Sequence, residues 1–178
     1  MQIDPRWDVV EKAFNPKRAG HYESVFTLAN GFLGTRGATE ERYLHRTPGT
    51  FLAGFFEKAP REVIELPNLP DWVRVDIELG GERFDLTQGR VIEYKRVLHM
   101  KEGSLVREVR WESPAGRITR LKFTRFVSMA NKHLAGLKVE LCPENYSGQG
   151  IIRSYIDGQV TNSGTQHFAP VEQNVFGE

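Results

Sequence analysis

The stretch Val73-Arg74-Val75-Asp76-Ile77-Glu78-Leu79 decides the fold class. Its odd-numbered positions are all apolar and its even-numbered positions are all charged. Side chains of a β-strand alternate between two faces, so this pattern places one face in a core and the other in water. Gly80-Gly81 then offers a tight turn, and the chain returns with Phe84 and Leu86 on one face. The region Asp71 to Leu86 is therefore predicted to form a β-hairpin.

The same alternation recurs downstream, interrupted by short turns rich in Gly, Pro and Asn. It predicts further strands at Val91 to Leu98, Ser104 to Glu112, Arg117 to Ser128, His133 to Cys142 and Ile151 to Val160. Strands joined by short turns, without helical patterns between them, favour an all-β antiparallel sandwich over βαβ units. The first 70 residues are less regular. We interpret Trp7 to Phe14 as a short helical turn, Val25 to Leu28 as a short strand, and Arg61 to Pro70 as an extended loop.

Composition restricts the class of protein. The 178 residues are 39% hydrophobic and 26% charged, which suits one globular domain with a sizeable core. A formal net charge of +1 argues against nucleic acid and anionic membranes as partners. Cys142 is the single cysteine, so an intrachain disulfide is excluded and a reducing compartment is favoured. No secretory signal pattern and no apolar run of about 20 residues is present, so we expect a cytoplasmic protein.

Motifs for several kinds of chemistry are missing from the sequence. The five histidines show no HExxH spacing, so no metal site is expected, and Cys142 is expected to pack near a sheet edge. Gly31, Gly34 and Gly37 are spaced as GxxGxxG, which fits neither the dinucleotide fingerprint nor the P-loop. Arg36 is interpreted either as a surface residue or as a bidentate partner of a nearby carboxylate. Glu40 and Glu41 are the candidates for that carboxylate.

Carbohydrate chemistry leaves two readings of the polar and aromatic residues open. Hydrolysis of a glycosidic bond usually needs two carboxylates about 5 to 10 Å apart, but 23 acidic residues provide no way to choose a pair. Most acidic residues are expected on solvent-exposed faces, where Asp and Glu usually lie. Trp7, Trp72 and Trp111 could stack on sugar rings, although aromatic residues in a sandwich are more often part of the core.

Several blocks of sequence resemble one known family. The segment from Glu23 to Gly37, ESVFTLANGFLGTRG, and the acidic pair Glu40-Glu41 resemble the opening signature of the N-terminal domain of glycoside hydrolase family 65. That family comprises the maltose, trehalose and kojibiose phosphorylases. Further blocks resemble the same domain in the same order, at Leu69 to Trp72, Phe84 to Leu86, Leu98 to Arg107, Arg125 to Ala130 and Tyr155 to Asn162. Together they cover most of the span from Trp7 to Asn162.

The resemblance implies a large antiparallel β-sandwich of the galactose mutarotase type, a supersandwich, in agreement with the alternation. In the family this domain precedes a helical linker and an (α/α)6 barrel, which supplies the catalytic glutamate and the phosphate site. A chain of 178 residues cannot contain that barrel. The resemblance therefore implies that residues 1–178 form a single sandwich domain, incomplete at its C-terminal end and not catalytic alone.

The resemblance also implies roles for the signature residues. We expect them to be structural or domain-interface positions: Asn30, Gly31, Gly34, Arg36, Gly37, Glu40 and Glu41. No catalytic or metal-binding residue and no cofactor is carried over. The implied partners are an α-linked disaccharide and inorganic phosphate, both bound through the barrel, and the family's subunit interface allows a homodimer. In an inverting phosphorylase, phosphate would attack the sugar while a carboxylic acid of the barrel protonates the leaving oxygen.

A second reading belongs to a different functional class. The chain could be a stand-alone carbohydrate-binding or dimerisation sandwich without catalysis. Exposed aromatic residues along one sheet face would favour that reading. An exposed apolar patch larger than about 600 Å² would instead favour a missing partner domain.

Overall fold

The computed structural model describes residues 3–42, 46–58 and 63–168. The N-terminal part contains strand β1 (Asp8–Glu11), a 3-10 turn (Pro16–Arg18), helix α1 (Ala19–Val25) and strands β2 (Leu28–Ala29), β3 (Leu33–Thr35) and β4 (Thr50–Leu52). The remaining strands are β5 (Val75–Leu79), β6 (Glu82–Arg83), β7 (Arg90–His99), β8 (Ser104–Glu112), β9 (Ile118–Val127), β10 (Ala135–Pro143) and β11 (Gly150–Ser154).

The strands form three antiparallel sheets. The main sheet has the order β1-β7-β8-β9-β10, and two three-stranded sheets have the orders β11-β5-β6 and β2-β3-β4. Strands β7 to β10 agree with the predicted strands to within two residues at each end. The predicted hairpin is also confirmed, since β5 and β6 pair across the turn at Gly80 and Gly81, both of which have positive φ. The expected all-β antiparallel architecture is therefore correct.

The principal core lies between the main sheet and the β11-β5-β6 sheet. The second sheet and the residues after it contribute Val75, Ile77, Leu79, Phe84 and Leu86. The main sheet contributes Tyr94, Val109, Trp111, Leu121 and Phe123. Each set comes from alternate positions of its strands, which is why the period-two pattern predicted the sandwich. The indole N–H of buried Trp111 donates to the carbonyl of Gln88 at 2.8 Å, so this large core side chain leaves no polar atom unsatisfied.

Two predictions for the N-terminal region are wrong. Trp7 to Phe14 holds strand β1 instead of a helical turn, because the edge of β7 offers backbone partners, with Val9 opposite Leu98. Val25 to Leu28 is only partly a strand, since helix α1 ends at Val25 and β2 begins at Leu28. The Asn15 side chain accepts from the Lys17 amide at 3.0 Å and starts the turn that leads into α1.

Three other predictions are corrected or limited. Strand β11 ends at Ser154, well before the predicted Val160. Over residues 155–160 the described chain forms one further bridge, between Asp71 and Asp157. Cys142 is exposed on β10, a strand at the edge of its sheet, because neighbouring odd-numbered positions of that strand face the core. Of the predicted loop from Arg61 to Pro70, residues 61 and 62 lie outside the described residues. Residues 63–70 contain no strand beyond an isolated bridge at Glu65.

Within the described ranges, no helix is both long enough and apolar enough to cross a lipid bilayer.

Leu121 provides a test of this core. Its side chain is fully buried on β9, so we expect Leu121→Ala to lower the free energy of unfolding by about 2–5 kcal/mol. Leu134 is about half exposed, and Leu134→Ala should change stability by no more than about 0.5 kcal/mol. Urea unfolding followed by circular dichroism would measure both values, and equal losses in the two variants would contradict this assignment of the core.

Candidate functional site

Three arginines lie on the inner face of the main sheet. They are Arg96 on β7, Arg107 on β8 and Arg125 on β9, which we call the arginine row. Arg96 and Arg107 are directly opposite each other, and Arg125 is opposite Leu105, two residues from Arg107. No side chain of the row is more than 3% exposed. Buried guanidinium groups at such spacing are strongly destabilising unless carboxylates accompany them.

The arginine row separates two apolar clusters on the same sheet face. One cluster is the principal core, and the other comprises Phe26, Leu28, Leu98, Leu105 and Val127. On each strand the arginine is two residues from a member of each cluster. The flanking residues are Tyr94 and Leu98 on β7, Val109 and Leu105 on β8, and Phe123 and Val127 on β9. A polar layer therefore divides the inside of the sandwich into two apolar parts.

The carboxylates that neutralise this layer come from the predicted signature. Glu41 binds Arg107 in a bidentate manner, with one N–O distance of 2.6 Å and a second, shorter contact. Glu40 bridges two arginines: one oxygen is 2.7 Å from Arg107 and the other is 3.1 Å from Arg125. Both carboxylates are almost fully buried. Both glutamates of the acidic pair thus form ion pairs inside the domain.

A third buried carboxylate completes the layer. Glu11, at the end of β1, is 3.5 Å from Arg96 and accepts a hydrogen bond from the Tyr94 hydroxyl at 2.9 Å. Burial raises the pKa of Glu11, and the nearby guanidinium of Arg96 only partly opposes this effect. Burial likewise raises the pKa of Tyr94, so this phenol stays protonated and remains a donor. The three arginines therefore face three carboxylates.

The electrostatics of the layer keep Glu40 ionised. Burial alone would raise the pKa of Glu40, but the charges of Arg107, Arg125 and Arg96 outweigh burial and hold it below its usual value. Burial lowers the pKa of Arg125 to about 10, which still leaves it protonated at neutral pH. Glu40 is consequently ionised and has no proton to donate. Its oxygens are held by guanidinium groups, which makes it a poor base or nucleophile.

The glycines and the asparagine of the signature shape the chain. The Asn30 side chain accepts from the amides of Phe32 and Leu33 at 3.0 and 2.8 Å, and it donates to the carbonyl of Ser128 at 2.7 Å. Gly31 has φ +83°, which favours glycine in the turn between β2 and β3. Asn30 therefore fixes this turn and ties it to the end of β9.

Gly37 is required by a close approach of two chain segments. A Cβ atom at this position would lie 2.5 Å from the Cβ of Phe26, and the Gly37 amide donates to the carbonyl of Glu23 at 2.7 Å. Gly34 is less constrained: it pairs with Ala29 and Phe51, and its Cβ would make an ordinary contact at 3.8 Å. Helix α1 and the signature are thus packed backbone against backbone.

Of the two interpretations of Arg36, the one that pairs it with Glu40 or Glu41 is wrong. Arg36 lies 3.6 Å from Glu23 and donates to the carbonyl of Thr47 at 3.2 Å, while the arginine row binds the acidic pair. The general expectation of exposed acids also fails for one group of residues. Those buried carboxylates are Glu11, Glu23, Glu40, Glu41 and Asp71. Sequence reasoning missed them because their partners are distant in sequence, 66 residues away for Glu41 and Arg107.

A second group of polar residues lies at the protein surface. Asp8, His99 and Glu102 offer ligand atoms within 4.8 Å of one another, a donor set that could hold a metal ion. They line a depression of about 450 Å³, together with Trp7. No spacing motif could have revealed this group, because Asp8 and His99 are 91 residues apart. The signature residues line neither this depression nor a second one of about 520 Å³ on the main sheet.

Comparison with known proteins gives consistent matches. The profile of "Glycosyl hydrolase family 65, N-terminal domain" matches residues 9–177. A kojibiose phosphorylase of Halothermothrix orenii is 52% identical over 170 residues, which are 96% of this chain and 22% of that protein. An alpha,alpha-trehalose phosphorylase of Thermoanaerobacter brockii is 35% identical over 97% of this chain and 24% of its own length. The chain thus spans less than a quarter of these relatives.

A solved structure supports the fold. The putative kojibiose phosphorylase from human microbiome superimposes with a TM-score of 0.85 and 20% sequence identity. The match covers 96% of this chain and 24% of that one. At this level of identity the similarity concerns the fold alone.

Arg107 provides a test of the polar layer. Arg107→Ala removes the partner of the buried Glu41 carboxylate and of one Glu40 oxygen. We therefore expect a loss of about 3–5 kcal/mol in the free energy of unfolding. Arg90 is the matched control, because it forms an exposed ion pair with Glu112 that should contribute about 0–1 kcal/mol. Chemical denaturation would measure both variants. A loss in Arg107→Ala as small as that in Arg90→Ala would show that the polar layer does not hold the domain together.

The lowered pKa of Glu40 predicts a pH dependence. Ionised Glu40 contributes stability that is fully present above the unfolded pKa of about 4.5 and is lost as pH falls toward the lower pKa of the folded state. Glu40→Gln removes this contribution. The difference in unfolding free energy between wild type and Glu40→Gln should therefore be large at pH 7 and shrink below about pH 4.5. Glu144→Gln, at an exposed ion pair, should show a small difference throughout, and a constant gap for Glu40→Gln would refute the prediction.

Proposed function

The chain belongs to glycosyl hydrolase family 65 as an N-terminal domain, and we propose that it serves as the non-catalytic β-sandwich of a phosphorylase. The proposed reaction of the whole enzyme is phosphorolysis of an α-linked disaccharide. Inorganic phosphate takes the glycosyl group as a sugar 1-phosphate, and the second sugar leaves with a proton. In this proposal, both substrates bind outside residues 1–178, in the catalytic (α/α)6 barrel that the family resemblance implies.

One observation carries the proposal. The match extends over 96% of this chain but only 22% of the kojibiose phosphorylase of H. orenii. More than three-quarters of that relative therefore lies outside the matched region, which leaves ample room for a catalytic domain. The proposal accordingly treats residues 1–178 as one supporting domain.

The proposed role of the signature residues is structural. Asn30 and Gly31 form the β2–β3 turn, Gly37 allows the contact with α1, and the acidic pair neutralises the arginine row. Arg36 fastens the loop before β4 through Thr47. Gly34 lies within the β2-β3-β4 sheet. Since the acidic pair is enclosed by its own domain, it supports the fold rather than a contact with another domain.

The positions of the aromatic residues favour this proposal over a carbohydrate-binding sandwich. Trp111 is buried in the core and Trp72 is partly buried. The large exposed aromatic side chains in the described ranges are Trp7, Phe55, Phe56 and Phe126. They lie before β1, after β4 and on β9 rather than in a row along one sheet face. A sugar-binding platform needs such a row of adjacent rings.

The proposal also concerns the cellular location and the oligomeric state of the enzyme. One exposed cysteine and no disulfide within the chain suit a reducing cytoplasm. In this proposal the enzyme can form a homodimer, and the sandwich supports both the barrel and the subunit interface.

Activity of the isolated chain and of a chimera would test the proposed function. We expect the 178-residue chain to release no glucose 1-phosphate from maltose, trehalose or kojibiose in the presence of phosphate. Replacing the matched region of the H. orenii kojibiose phosphorylase with this chain should give a folded protein that phosphorolyses kojibiose. Phosphorolysis by the isolated chain, or a chimera without activity, would overturn the proposal.

A further inference from the structure

An apolar hairpin stands between β4 and β5. Its arms are residues 55–58 and 63–66, which run antiparallel with Glu57 opposite Glu65. Each of these two residues donates its amide to the carbonyl of the other at 3.0 Å. Most of the large side chains on the arms are apolar and exposed to solvent. They are Phe55, Phe56, Val63, Ile64 and Leu66.

A buried histidine holds the charged side of the apolar hairpin. His167 is 1% exposed, and its Nε2 lies 2.8 Å from Glu65 while its Nδ1 lies 3.6 Å from Glu57. The contact with Glu65 ties the hairpin to a part of the chain 102 residues away in sequence. The buried His167 side chain thus anchors this side of the hairpin, although Glu57 and Glu65 themselves remain 42% and 35% exposed.

The opposite side of the apolar hairpin faces solvent. Side chains on paired strands alternate between faces, so Phe56, Ile64 and Leu66 point away from the side that carries Glu57 and Glu65. Phe56 is 60% exposed and Ile64 is 68% exposed on this side, and Val63, on the side of Glu57 and Glu65, is 74% exposed, so both sides of the hairpin present apolar groups to solvent. Large apolar side chains grouped on one exposed face mark contact surfaces in proteins. The backbone bridge and His167 hold this face in shape, which lowers the entropic cost of docking.

We propose that the Phe56–Ile64–Leu66 face docks against the part of the family's polypeptide that lies beyond the matched region. This inference rests on the proposed function. The relatives carry more than three-quarters of their length outside the match, so a large surface of the same polypeptide is available to cover the hairpin. The acidic pair of the signature does not provide this contact, because both carboxylates are buried within the domain. In this inference the domain contact lies on the apolar hairpin, at residues that the sequence signature does not include.

The chimera with the H. orenii kojibiose phosphorylase provides the test. The variant Phe56→Ser/Ile64→Ser replaces two exposed apolar side chains of the docking face, and Met129→Ser replaces a side chain that is 79% exposed at the end of β9. We expect the double variant to lower the melting temperature of the chimera by roughly 5 °C or more and to reduce kojibiose phosphorolysis. In the isolated 178-residue chain the same double variant should leave the melting temperature unchanged. Met129→Ser should change neither protein.

The outcomes separate this inference from the proposed function. A wild-type chimera without activity would contradict the proposed function itself. If the wild-type chimera is active and the double variant has the same melting temperature and the same rate of kojibiose phosphorolysis, only the docking surface is overturned. Sedimentation of the isolated chain tests whether a second copy of the chain covers the hairpin instead. A dimer that Phe56→Ser/Ile64→Ser dissociates would show this and would also overturn the inference. A monomer supports it.

Discussion

The ion pairs between Arg107 and the two glutamates of the signature are the interaction on which the rest of the domain depends. A guanidinium inside a sandwich is tolerated only where carboxylates meet it, so Glu40 and Glu41 must reach the inner face of β8. This requirement fixes the path of the chain from β3 across the main sheet. Glu40 then continues the connection, since its carbonyl accepts from the amide of Val75 at 2.8 Å, at the start of β5. Three sheets are thereby joined at one place.

Alternation along the chain was sufficient to predict the regular part of the fold. Each of the strands β7 to β10 has one buried face and one face toward solvent, so apolar and polar residues alternate along its sequence. Strand β1 was missed because Asp8–Glu11 is short and becomes a strand only through the edge of β7. Helix α1 was missed because Ala19–Val25 has no apolar stripe of its own, and most of its stability comes from tertiary contacts such as that between Gly37 and Phe26.

The polar layer could not be predicted from local sequence. In β8, Arg107 occupies an inward position between Leu105 and Val109, where alternation alone predicts an apolar residue. Its partners lie in a segment without regular structure, and only the folded chain brings them together. The resemblance to a family identified Glu40 and Glu41 as important without showing why. Their burial supplies the physical reason, and it separates these residues from the surface that is free to contact another domain.

Apolar residues in place of the arginine row would often be neutral or stabilising for a buried ion cluster, so its retention needs a further explanation. The backbone of the signature provides one. Arg96 donates to the carbonyl of Gly37 at 2.9 Å, and Arg125 donates to the carbonyl of Ala38 at 2.7 Å. These carbonyls belong to residues outside any strand, and the guanidinium groups are the donors that reach them. An apolar side chain would leave them buried without a donor. The arginines therefore satisfy the backbone of the segment as well as the charges of its glutamates, and only a side chain with several donors can do both.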